Sequence, residues 1–200
     1  MADNETSARA KLLEAAARLF YADGIAATGI NSIIAAAGVA RMSLYNNFSS
    51  KDDLVLAYIE ARHAEWLELY GARLAGNLGP ASGVLAVFDA YIDHAELGYE
   101  HGFRGCGLLN AAAELPMGSP GRDAVRRHKE QVEQILIDHL AELTTPDEAT
   151  HLAEHCSFLL EGAMSRAGLE GQSTRLEHAK QLAATLVDSC LLYTSPSPRD

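Results

Sequence analysis

The sequence predicts an all-α protein in two parts. An N-terminal three-helix domain with a helix-turn-helix spans residues 1–50, and an all-helical body spans 51–189. Three observations predict this. Apolar residues recur at helical spacing along most of the chain, on stretches rich in Ala, Leu and Glu. Glycine and proline fall between those stretches. The segment GVARMSLYNNFSSKDDL, residues 38–54, reads as a turn, a short helix and the capped start of another. Nothing in the chain alternates as a strand does, and there is no glycine-rich phosphate loop or internal repeat.

Thr6 or Ser7 caps a first helix running to Tyr21, with Leu12, Leu13, Ala16, Leu19 and Phe20 on one face and Asp23-Gly24 as its stop. Thr28 caps a second through Ile30, Ile33, Ile34 and Ala37, ended by Gly38. A third lies within Arg41 to Phe48. Ser50, with Asp53 three residues on, makes a box-like cap for a long fourth helix reaching Leu74 and carrying Leu54, Tyr58, Trp66, Leu67 and Tyr70. After a loop from Gly76 to Gly83 with Pro80, helical patterns resume at 84–99, 105–115, 119–143, 147–168 and 174–189.

The composition, 48% hydrophobic and 22% charged, is that of a globular chain with enough residues for a sizeable core. No apolar run is long enough to span a membrane, and the N-terminus lacks the layout of a secretory signal. Three cysteines without metal-like pairing fit a reducing cytoplasm. The net charge of −11 is unevenly spread. Residues 1–51 hold five basic and four acidic side chains, and the rest of the chain holds 11 and 23. A near-neutral head on an acidic body can approach a phosphate backbone.

The last residues, CLLYTSPSPRD, shift abruptly to Ser and Pro. They read back into the DNA of a transposase adapter used in sequencing libraries. Residues 190–200 are therefore expected to be an adapter-derived tail standing in place of any native residues beyond about 189, the alternative being a natural disordered tail.

Within the opening segment, Ala37-Gly38-Val39-Ala40 is the hinge of a helix-turn-helix. Leu44 and Phe48 lie four apart and join Ile33, Ala37 and Leu19 in a small core. Arg41, Met42, Ser43, Tyr45, Asn46 and Asn47 are left on the outer sides. A guanidinium suits guanine or phosphate, amides suit adenine, and hydroxyls suit phosphate, so this is the inventory of a recognition helix.

The stretches LLEAAARLFYADGIAAT, INSIIAAAGVA and SLYNNFSSKDDL, with the long helix after them, resemble the DNA-binding domain of TetR/AcrR (tetracycline-repressor-like) regulators over residues 8–60. The resemblance implies that Thr28 caps the second helix and touches phosphate. It implies that Ser43, Tyr45 and Lys51 hold the DNA backbone, while Arg41, Met42 and Asn46 lie near base edges. Ala40 stands where the family often has Ser or Thr, which leaves the third helix weakly capped. Asn46 and Asn47 replace a common aromatic or histidine, and Gly29 a hydroxyl residue, so no base preference carries over.

The resemblance also implies a helical ligand-binding and dimerisation body. Its pocket candidates are Trp66, Tyr70, Phe88, Tyr91, Phe103, Asn110 and Glu114, the last two placed on one helix face by their i, i+4 spacing. FRGCGLLNAAAELP, residues 103–116, is similar to versions in one branch of these regulators and names no ligand. Apolar stripes with Leu152, Phe158, Leu159, Ala163, Leu182 and Leu186 suit a four-helix bundle between two copies. The expectation is a homodimer on a near-palindromic operator, released by a small apolar effector, with no cofactor, metal site or membrane partner. Two alternatives stand beside it: a DNA-binding regulator without a small-molecule inducer, and an all-helical enzyme. No nucleophile–base pair, carboxylate pair or cofactor motif supplies the latter's chemistry.

Overall fold

The computed structural model describes residues 7–76, 79 and 81–194. Thr6, Pro80 and residues 195–200 lie outside the described residues. Every described secondary-structure element is an α-helix: α1 Ala8–Asp23, α2 Ile30–Ala37, α3 Arg41–Asn47, α4 Lys51–Gly76, α5 Ser82–Glu96, α6 Gly107–Glu114, α7 Pro120–Ala141, α8 Pro146–Glu170 and α9 Thr174–Thr194. The last ends at Thr194 rather than 189, because Leu191 and Leu192 are good helix formers. No described helix is long and apolar enough to cross a membrane.

The chain forms two compact units, whose boundaries differ from the expected 50/51 division. The first takes the residues up to Ala64, Tyr99–Gly102 and Gly107–Arg126. It therefore recruits α6 and the start of α7, which are remote in sequence.

In this unit the Ser7 hydroxyl accepts the Ala10 amide at 3.2 Å and caps α1. Leu12, Ala15, Ala16 and Phe20 make the buried face of α1. Gly38 closes α2 in the left-handed conformation (φ 63°), so the chain turns directly into α3. Ile33, Leu44 and Phe48 form the small core between these helices, as the i, i+4 spacing predicts, while Ala37 and Leu19 are only half-buried. Phe20 packs edge-on to Tyr58 with ring centres 5.5 Å apart.

The second unit holds Glu65–Gly98, Phe103–Cys106 and the chain from Arg127. α8 packs on α9, and α5 packs on both. Thr145 caps α8 with Pro146 at its first position. Leu152, Cys156, Leu160, Met164 and Ala167 recur at i, i+4, i+8 and form its buried stripe.

Gly168 sets how closely α8 approaches the 103–106 segment. A β-carbon there would lie 2.5 Å from the Gly105 nitrogen and 2.6 Å from its α-carbon, both unyielding backbone. Gly168→Ala is expected to cost roughly 1–3 kcal/mol through overpacking. Gly71→Ala, in a helix with nothing near the added methyl, is expected to stabilise by roughly 0.5–1 kcal/mol. Thermal unfolding of the two variants checks the contrast.

Candidate nucleic-acid interface

α3 presents a two-sided helix. Leu44 is fully buried, whereas Met42 is 67% and Tyr45 49% exposed. Arg41 and Asn46 are also exposed, and Ser43 is half-buried. Exposing a methionine and a tyrosine on a helix of seven residues costs apolar hydration, so these side chains form a surface rather than a core. No side chain caps α3 at Ala40. The Asn47 amide donates to the Ser43 carbonyl at 2.7 Å, which occupies one of its two protons within α3 itself.

Two backbone-holding candidates sit differently from expectation. Thr28 does not cap α2. The helix begins at Ile30 with Gly29 in the cap position and no side-chain bond. The Thr28 side chain, 3% exposed, donates to the Gly24 carbonyl at 2.7 Å and leans on that of Leu19 at 3.3 Å. The buried hydroxyl finds its acceptors at the end of α1 and the start of the α1–α2 loop, and this burial removes it from the surface. Lys51 stands at the N-terminus of α4 as expected, yet its ammonium donates to the Ile25 carbonyl at 2.5 Å.

The cap of α4 is a capping box shifted by one residue. Ser50 Oγ accepts the Asp53 amide at 3.0 Å, and the Asp53 carboxylate accepts the Ser49 amide at 2.9 Å. Arg9 lies over the Phe48 ring at 5.2 Å, placing another cation beside α3 that the sequence reading did not select. Arg18 is paired with Glu100 at 2.7 Å.

The expected pocket residues divide between the units. Trp66, Tyr70, Phe88, Tyr91 and Phe103 belong to the second, and all but the half-buried Tyr70 are buried. Asn110 and Glu114 belong to the first and are exposed. That corrects their expected place in a pocket. The buried face of α6 is Gly107, Leu108, Ala111 and Ala112, so the polar i, i+4 pair turns away from it. Both Glu114 oxygens are taken by the α1–α2 loop.

Inside the second unit Trp66, Tyr70, Tyr91, His128 and His139 form one cluster. Trp66 stacks on Tyr70 at 5.6 Å and lies 5.5 Å from both Tyr91 and His128. Tyr70 Oη and His139 Nε2 are 2.6 Å apart, and the His139 ring occupies the space that a β-carbon on Gly83 would need. Lys129 reaches Tyr91 Oη at 3.3 Å and Glu161 Oε1 at 2.6 Å. Burial pushes the Tyr91 phenol up. Burial alone would lower the Lys129 ammonium, but Tyr91, Cys106 and Glu161 around it hold it above its usual range.

Two buried polar atoms remain in this cluster: Trp66 Nε1 and Glu161 Oε2 find no hydrogen-bond partner among the described residues. His128 and Lys129 were missed because they sit in a charged helical run that reads as a solvated face, and Glu161 because a lone acid in an apolar helical stretch reads as its exposed side. Burial pushes the Cys156 thiol up to about 11, which disfavours the thiolate that reacts. No group of metal-ligating side chains occurs among the described residues.

The expected dimer residues also divide. Phe158 is 66% and Leu182 55% exposed, while Leu159, Ala163 and Leu186 are half-buried. Leu152 is a correction: it lies on the buried stripe of α8 and belongs to the protomer core.

A two-helix reading unit with an exposed second helix, joined to a helical body, defines a helix-turn-helix DNA-binding protein. The comparisons make the class more particular. Residues 12–58 match the family model "Bacterial regulatory proteins, tetR family". A TetR-family transcriptional regulator of known structure, SCO4454 from Streptomyces coelicolor, is 32% identical, with a TM-score of 0.78 over 96% of this chain and 97% of that one. The chain belongs to the TetR family of transcriptional regulators.

The transcriptional regulator TtgR of Pseudomonas putida is 42% identical over 55 residues, which are 28% of this chain and 26% of that protein. This match thus spans about a quarter of that relative's length. The repressor ComR of Escherichia coli is 27% identical over 86% of this chain and 84% of its own.

Proposed function

We propose that this regulator is a homodimeric repressor that a small molecule releases from a near-palindromic operator. The observation that carries the DNA-reading part is the exposed face of α3, with Arg41, Met42, Tyr45 and Asn46 outward and Leu44 inward. Arg41 and Asn46 offer base-edge donors and acceptors. Tyr45 and Ser43 offer hydroxyls to phosphate, and Lys51 adds a cation at a helix N-terminus. ComR, similar over most of the chain, is itself a repressor, which favours that sign of regulation.

The effector part rests on the cluster around Trp66. A buried indole N–H and a buried carboxylate oxygen without partners suit a ligand that supplies an acceptor and a donor within an otherwise apolar, aromatic outline. Asn110 and Glu114 drop out of this role, and Trp66 with Glu161 takes it.

The test is binding to the duplex that the wild-type protein selects from a random pool. Arg41→Ala and Asn46→Ala are each expected to cost roughly 1–3 kcal/mol and to relax base preference at one position per half-site. Tyr45→Phe is expected to weaken all duplexes alike. Protected half-sites should be centred about 34–36 Å apart, or a multiple of that. Wild-type affinity in all three variants would overturn the assignment of α3.

A further inference from the structure

We infer that Glu114 is a positioning residue for operator recognition: its carboxylate latches the α1–α2 loop and so fixes where the reading helices begin. The inference rests on the DNA-reading role of α3 and concerns a residue that touches no DNA in that role.

The latch is built from both carboxylate oxygens. Oε1 accepts the Ile25 amide at 2.9 Å, and Oε2 accepts the Ala26 amide at 2.7 Å. Two adjacent backbone N–H groups on one carboxylate form a charge-assisted, bidentate contact, which fixes direction as well as distance. The other polar groups of the loop are held in complementary ways. The Ile25 carbonyl accepts from Lys51, and the Gly24 carbonyl accepts from the buried Thr28 hydroxyl.

The approach is close enough to restrict the loop sequence. A β-carbon on Gly24 would lie 2.8 Å from Glu114 Oε1, and Gly24 has φ of 90°. The positive φ calls for glycine there, and a side chain in its place would push the carboxylate from its present position.

Position follows from this because α2 has no cap of its own. It starts at Ile30 behind Gly29, with no side-chain hydrogen bond, and runs for eight residues before the turn into α3. The fixed points upstream of it are the ones just described. Loosening Ile25 and Ala26 lets the start of α2 shift, and α3 packs directly on α2. A specific site suffers from such a shift, because base-edge contacts are directional. Non-specific binding, which depends on charge, does not.

The experiment compares wild type, Glu114→Gln and Glu114→Asp. Glutamine keeps the length but offers one acceptor and sets an N–H₂ group against a backbone N–H. Aspartate keeps the charge but is one methylene short. The first readout is amide hydrogen exchange at Ile25 and Ala26 without DNA. Wild type should protect both, and Glu114→Gln should lose that protection while α3 keeps its own. The second readout is affinity for the duplex selected by wild type. Glu114→Gln should bind it roughly tenfold or more weakly, the size of one charge-assisted hydrogen bond. Its salt dependence and its binding to random duplex should stay as in wild type, and Glu114→Asp should fall between.

Unprotected Ile25 and Ala26 amides in the wild type would overturn the inference even if the variants fail to fold. So would undiminished operator affinity in Glu114→Gln, or a parallel loss on specific and random duplex. A wild type that selects no duplex would instead sink the DNA-reading role, leaving the exchange measurement to judge the latch.

Discussion

With Phe158→Glu and Leu182→Glu combined, the protein is expected to sediment as a monomer and to bind its operator roughly 100- to 10,000-fold more weakly. The size is that of losing one of two linked contacts, which makes the second binding event intramolecular in the dimer. The physical case lies in α8 and α9. On α8 the stripe from Leu152 to Ala167 faces the protomer core, and Phe158 stands about half a helical turn away from it. On α9 the buried line is Leu176, Ala179, Ala183 and Val187, and Leu182 lies beside it in solvent. Two large apolar side chains exposed on helices that pack together make a surface suited to a second copy.

Because both side chains are exposed in the protomer, the double variant should keep its helical content and its binding to random duplex at low salt. Leu152→Asp provides the contrast. That side chain is core, so its replacement should lower the unfolding temperature rather than dissociate an intact dimer. A double variant that still sediments as a dimer at micromolar concentration would remove this face from the assembly.

The helix-turn-helix was readable because its signals are local. Gly38 needs the left-handed conformation, and Leu44 with Phe48 needs only the i, i+4 rule. Helix existence was equally legible in the body, where caps such as Thr145-Pro146 sit beside strong apolar periodicity.

What stayed hidden involves long-range partners. Glu114 lies 88 and 89 residues from the two amides it holds, and nothing in an alanine-rich octamer says which face turns inward. The spacing of Asn110 and Glu114 put them correctly on one face, but periodicity assigned that face to a pocket. Thr28 was misplaced for a related reason. A threonine before a helix reads as a cap, and only the fold shows its hydroxyl bonded to carbonyls behind it. Lys129 was invisible because a charged residue in a charged run looks solvated until its neighbours are known, and Glu161 because only the fold shows the cation that it meets.

A small aromatic compound that quenches the fluorescence of Trp66, the sole tryptophan of the chain, is expected to weaken operator binding about 5- to 150-fold. That is the range of a coupling of ~1–3 kcal/mol. Linkage requires that operator DNA weaken the compound by the same factor, so titrating each in the presence of the other gives an internal check.

The chemistry of the Trp66 cluster sets which variants alter the response. Trp66→Phe keeps the aromatic volume and removes the unpartnered N–H. It should lower compound affinity, measured by calorimetry, while operator binding without compound stays as in wild type. Glu161→Gln removes the charge that pairs with Lys129 and changes the free oxygen, so it should shift preference among compounds that differ only in a donor group. Saturating compound that leaves operator affinity unchanged would reject coupling for that compound. A library of such compounds in which every quencher of Trp66 leaves the operator bound would favour a TetR-family regulator that works without a small-molecule inducer.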